Sequence, residues 1–143
     1  MNKKDNSILL LRTSNDFITE NALRYCLQNS ENVICLIQSS QFEAYKNKYP
    51  ETNFIDSGAE SFYDLSNEIM QKLSAEKYSM IVIPTTGVKA HNFGNIIEIT
   101  RLLYHDKLVF YHSDNQIQVI NKMSKIKSML YKIYIKIIEC SEQ

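Results

Sequence analysis

The 143 residues suffice for one domain with a real core and are too few for two, and 44% apolar against 22% charged residues is ordinary for a globular chain. Sixteen basic side chains cancel sixteen acidic ones, so no overall field draws the protein to nucleic acid. The longest apolar runs fall far short of the roughly 20 residues that span a bilayer, which excludes a transmembrane class.

Met1 to Ser7 is basic, but the apolar run behind it, Ile8 to Leu11, is too short for a signal-peptide core. The expectation is a cytoplasmic protein. Cys26, Cys35 and Cys140 are too few and too scattered for a disulfide framework or a zinc site, and Cys26 and Cys35 read as buried reduced thiols. From residue 121 onward five lysines stand against two glutamates, so a basic tail follows a slightly acidic body.

Ser7 to Arg12 carries four consecutive aliphatic residues and reads as the first and central strand. Thr13, Ser14, Asn15 and Asp16 form a polar turn with good capping residues, and Phe17, Ala22, Leu23, Cys26 and Leu27 then make a helical stripe. Val33 to Gln38 is the second strand, and Ser39 or Ser40 caps a helix from Gln41 to Lys48 that ends before Pro50. Asn53 to Asp56 is a brief third strand of edge character. Ser57 and Gly58 turn, and Ser61 caps a helix with Phe62, Leu65, Ile69 and Leu73 at spacings of three and four.

Ser79 to Pro84 is the fourth strand, β-branched and apolar on both faces, with Pro84 as its stop. A polar loop through Gly87 follows, and Asn92 caps a helix from Phe93 to about Tyr104. Lys107 to His112 is the fifth strand. The run Ile117 to Ile120 lies only a few residues beyond it, too close for a parallel crossover, and must pair antiparallel.

Asn121 to Cys140 is helical by pattern. Met123, Ile126, Leu130, Ile133 and Ile137 line one face, and Tyr131, Tyr134, Ile135 and Ile138 a second, with lysines 122, 125, 132 and 136 between them. A neighbouring helix of the same domain could cover the second face. The other occupants are a second copy or protein partner, and an anionic lipid surface in peripheral contact.

Five strand-to-helix units in alternation give a three-layer α/β fold with helices on both faces of a Rossmann-like sheet. The strand order is 3-2-1-4-5-6, strands 1 to 5 parallel and strand 6 antiparallel. Ligands in such sheets sit where the winding reverses, here between the carboxyl ends of strands 1 and 4. Thr13, Ser14, Asn15 and Asp16 reach that point from one side, and Thr85, Thr86, Gly87, Lys89, His91 and Asn92 from the other. Lys89 and His91, beside the free N–H groups at a helix start, suit a phosphate or carboxylate; the same residues also serve as the caps and turns that any loop needs.

No dinucleotide fingerprint and no P-loop occurs, and with three glycines in the chain close backbone approach to a pyrophosphate has little support. His91, His105 and His112 lack metal-ligand spacing, and no Gly-x-Ser-x-Gly elbow occurs. No cofactor and no metal is implied. Asp56 with Thr85 is similar to the phosphoacceptor and switch threonine of bacterial receiver domains, but the acidic pair after the first strand and the lysine after the fifth are missing.

A second resemblance covers most of the chain. Ile8-Leu-Leu-Leu-Arg-Thr-Ser14, Asn21-Ala-Leu-Arg-Tyr25, Val33-Ile-Cys-Leu-Ile37, Tyr78-Ser-Met-Ile-Val-Ile-Pro84 and Phe93-Gly-Asn-Ile-Ile-Glu-Ile99 resemble the N-terminal half of heptosyltransferase-like glycosyltransferases of the two-domain GT-B type. The resemblance implies a half that faces the acceptor, while a second half, with no counterpart in these 143 residues, holds the nucleotide sugar. Where that family carries a Gly-Asp pair after the first strand this chain has Asn15-Asp16, which makes Asp16 the match for the catalytic carboxylate. The resulting expectation is a non-catalytic binding or assembly module linked to cell-surface sugar metabolism. The alternative is one subunit of a split glycosyltransferase, with an anionic phosphosugar at the switch point.

Overall fold

In the computed structural model the described residues are 7–60, 62, 65–85 and 93–121. They form β1 (Ser7–Leu11), α1 (Asp16–Asn29), β2 (Asn32–Ile37), α2 (Ser39–Lys48), β3 (Asn53–Asp56), α3 (Asn67–Ser74), β4 (Tyr78–Thr85), α4 (Phe93–Arg101), β5 (His105–His112) and β6 (Ile117–Asn121). The six strands make one sheet in the order β3-β2-β1-β4-β5-β6. All neighbours run parallel except β5 and β6, as the spacing of apolar runs implied.

All five residues of β1 are buried, which is why a run of four aliphatic residues rather than an alternating pattern marks the centre of the sheet. Successive side chains go to opposite faces. Leu9 and Leu11 join Ile34, Leu36, Ile81, Ile83, Leu108 and Phe110 beneath α3 and α4, while Ile8 and Leu10 join Val33, Cys35, Val82 and Val109 beneath α1 and α2. Each fully buried aliphatic side chain contributes about 1.5–3 kcal/mol. Cys26 and Cys35 are fully buried free thiols, as expected, and burial pushes both thiol pKa values up.

Local competition moved several boundaries. In α1 the inward residues are Ile18, Thr19, Ala22, Leu23 and Cys26, whereas Phe17, expected in the stripe, is 67% exposed. The cap decides this: Asn15 accepts a hydrogen bond from the Ile18 N–H at 3.1 Å, and that phase turns Ile18 inward. Helix α2 begins at Ser39 rather than Gln41, and neither serine caps it. The Ser39 hydroxyl donates to Asp56 at 2.5 Å, and Glu60 accepts from both the N–H (3.0 Å) and the hydroxyl of Ser40, so a carboxylate from the loop after β3 serves the helix start. Helix α3 begins at Asn67, where Ser66 accepts from the Ile69 N–H at 3.2 Å. Phe62 is buried ahead of it, outside the helix, and the expected cap Ser61 lies outside the described residues. Helix α4 stops at Arg101, three residues early, and β5 starts at His105, two residues early.

Pro84 does not stop its strand: β4 runs through Thr85, and Pro84 lies beside Tyr111 of β5. An extended residue aims its N–H and C=O to the same side, and the Pro84 carbonyl faces β1, where the Thr13 hydroxyl donates to it at 2.8 Å. Pairing with β1 ends at Leu10 and Val82, so the ladder has no bond there for proline to remove.

Asn121, expected to open the last helix, instead ends β6, paired with Lys107; the rest of that predicted helix, 122–140, lies outside the described residues. Among the described residues no helix is long and apolar enough to cross a membrane.

Candidate functional site at the β1/β4 switch point

The winding reverses between β1 and β4, because β2 and β3 lie on one side of β1 and β4 to β6 on the other. Thr13, Ser14, Asn15 and Asp16 leave the carboxyl end of β1, and Thr85 ends β4. The structure therefore brings these five sequence-predicted residues to one end of the sheet. Thr86, Gly87, Lys89, His91 and Asn92 lie outside the described residues.

Each described residue has a definite job. Thr13 bridges the two strand ends through its bond to the Pro84 carbonyl. Asn15 caps α1, and among the described residues the N–H groups of Asp16 and Phe17 take no partner at the first turn of this 14-residue helix. Thr85 is buried. Ser14 accepts from the Thr19 hydroxyl through its backbone carbonyl at 3.2 Å, but its own hydroxyl oxygen is buried with no hydrogen-bond partner among the described residues.

Asp16 is held in a network that sequence reasoning missed. Its carboxylate accepts from the Arg12 guanidinium at 2.8 Å and from the Tyr45 hydroxyl at 2.6 Å. The bonds from Arg12 and then Tyr45 hold Asp16 below the usual carboxylate range. Burial, and then the bond to Asp16, push the Tyr45 phenol up. Arg12 also donates to Gln38 Oε1 at 3.1 Å, Gln38 donates back to the Arg12 carbonyl at 2.9 Å, and the guanidinium carbon lies 5.7 Å from the centre of the Tyr45 ring. Burial disfavours the charge on Arg12, but the bond to Asp16 and contact with Tyr45 outweigh it and raise its pKa. An arginine ending an apolar strand, four residues before an aspartate, was the visible signal. No local pattern could show that Tyr45 of α2 and Gln38 of β2's end would meet it.

Asp56 and Thr85 stand at the ends of β3 and β4, which are separated in the sheet by β2 and β1. Asp56 accepts from Ser39 and the Gly58 N–H, so the receiver-like pairing does not form. His105 Nδ1 lies 2.8 Å from the Leu103 carbonyl. Among the described residues no three His, Cys, Asp or Glu side chains gather as a metal site would require.

A groove of about 490 Å³ runs along the outer edge of β3, lined by Phe42, Phe54, Ile55, Lys72 and Glu76 among others. Among the described residues the buried polar atoms without partners are Arg12 Nε, Ser14 Oγ and Thr52 Oγ1, and none of them belongs to its lining. The switch point is the stronger candidate, because the residues Ser14 to Phe17 at the start of α1 carry, among the described residues, a desolvated hydroxyl and two N–H groups without partners. No protein-family model and no curated protein matches the chain.

Proposed function

We propose that the chain is a non-catalytic binding module of three-layer, Rossmann-like architecture that takes a small anionic ligand of sugar-phosphate type at the β1/β4 switch point. The observation that carries the reading is the Ser14 hydroxyl, desolvated and without a partner among the described residues, at the mouth of α1. Next in the chain come the N–H groups of Asp16 and Phe17, which take no partner among the described residues. One phosphate or carboxylate oxygen can accept from a hydroxyl and a helix-start amide together, and the helix dipole favours its charge. The resemblance to glycosyltransferase N-terminal halves supports a sugar as the group that carries the anion and links the module to cell-surface sugar metabolism.

The environment of Asp16 supports binding without chemistry. A general base works best with a pKa near the operating pH, whereas Asp16 is shifted the other way and both its partners anchor elements of the fold. Thermal-shift measurements with inorganic phosphate, sugar phosphates and nucleotide sugars test the proposal. A ligand at ten times its Kd stabilises the fold by about 1.4 kcal/mol, a rise of about 4 °C. Ser14→Ala and Lys89→Ala should shrink that rise. No rise with any of these compounds, or an undiminished rise in Ser14→Ala, refutes the proposal. Sugar transfer on mixing with a donor-binding domain, abolished by Asp16→Asn, would establish a split glycosyltransferase instead.

A further inference from the structure

Among the described residues β6 closes one side of the sheet, and its composition is unusual for an edge. Ile117-Gln-Val-Ile-Asn121 has no charge and no proline, the devices by which edge strands avoid pairing. Val119 is 50% and Ile117 42% exposed. They lie opposite Val109 and Tyr111, on the face of the sheet that α1 covers.

The register fixes which backbone groups look outward. The hairpin closes with the His112 N–H donating to the Gln116 carbonyl at 2.9 Å. Alternation then turns the backbone groups of Gln118 and Ile120 toward β5 and those of Ile117, Val119 and Asn121 away from it. The outward groups of Ile117 and Val119 take no partner among the described residues. Val119 is the middle residue of this outward set, so the edge is self-complementary about it.

We propose that β6 is the interface for a second copy of this chain, pairing antiparallel about a two-fold axis at Val119 to continue the sheet from six strands to twelve. Val119 then faces its own counterpart, and Ile117 faces Asn121 of the second copy. About six backbone hydrogen bonds form, and the exposed valines and isoleucines of the two copies meet on one face. Such an isologous contact closes on itself at two subunits. Charge favours this orientation: the turn before each β6 carries the exposed Asp114, and Lys122 is the next residue in sequence after each β6. Antiparallel pairing brings the acidic end of one strand to the basic end of the other. The inference is independent of the ligand site.

Sedimentation velocity of the intact chain, from about 1 to about 100 micromolar, should show a species of twice the chain mass that Val119→Thr retains and Val119→Lys abolishes. Position 119 is half exposed in one copy, so Val119→Lys should keep its circular dichroism while setting two like charges directly opposite. A second readout uses Cys140→Ser as background. Val119→Cys should form a disulfide-linked dimer on mild oxidation, since opposed residues at that step lie about 5.5 Å apart, within disulfide reach. Ile117→Cys should not, its counterpart being roughly 14 Å away. A monomer across the concentration range overturns the proposal. So does a dimer that survives Val119→Lys, one abolished only by the pair Tyr134→Lys and Ile138→Lys, or cross-linking at 117 rather than 119.

Discussion

Replacing Asp16 by asparagine separates an anchoring carboxylate from a reactive one. The carboxylate joins the end of β1, through Arg12 at 2.8 Å, to the middle of α2, through Tyr45 at 2.6 Å. Hydrogen bonds to a charged group are worth about 1.5–3 kcal/mol when shielded. The Asp16 side chain is 62% exposed and that of Arg12 only 15%, so solvent screening takes most of that away. Asparagine keeps an acceptor oxygen but leaves the guanidinium without its counter-charge. The expected loss is therefore about 1 kcal/mol, or about 3 °C in Tm for a chain of this size. Tyr45→Phe removes one donor to the same carboxylate and should cost about 1 kcal/mol as well. Because both changes act on one group, the double variant should fall short of their sum by about 0.5 kcal/mol. Urea unfolding followed by far-ultraviolet circular dichroism gives all three values, provided the slope with denaturant stays constant. An Asp16→Asn protein as stable as the parent, or more stable, refutes the anchoring argument, since a strained catalytic group is often stabilised by removal.

Leu10→Ala opens a cavity under α1 at a fully buried site of the central strand and should cost about 3 kcal/mol in the same assay. Thr13→Val removes the donor to the Pro84 carbonyl and should cost about 1 kcal/mol. Ser14→Ala relieves a desolvated hydroxyl with no partner among the described residues and should raise the stability of the unliganded protein by about 1 kcal/mol while weakening anion binding. Asp16, Glu20, Asp56 and Glu60 are all held below their ordinary values of 3.8 and 4.5. Their contribution is complete above those values and is lost as the pH falls through the depressed folded ones. Acid titration of Tm should thus decline below about pH 4.5, less steeply in Asp16→Asn.

The sheet was legible because its strands are buried on both faces and so appear as unbroken aliphatic runs, Ile8–Leu11, Val33–Ile37 and Met80–Ile83. The separations between runs distinguish crossovers from the one hairpin. Helix ends were less legible, because several residues compete to cap each one and the winner is set by tertiary contacts. Ser39 and Ser40 look like caps, yet Asp56 and Glu60 engage them. Pro84 looks like a stop, yet the strand beside it has already turned away into Thr13. At the site, position on the sheet was readable from topology for Thr13 to Asp16 and Thr85. The state of Asp16 was not readable, because it depends on Tyr45, 29 residues away, packing over Arg12.

The most direct test of ligand binding at the switch point is amide chemical-shift mapping of the intact protein during titration with inorganic phosphate and then with a sugar phosphate. Saturable shifts centred on the N–H groups of Asp16 and Phe17, tighter for the sugar phosphate and weakened by Ser14→Ala, are the expected result. The absence of saturable shifts, or shifts centred on the groove along β3, would contradict it.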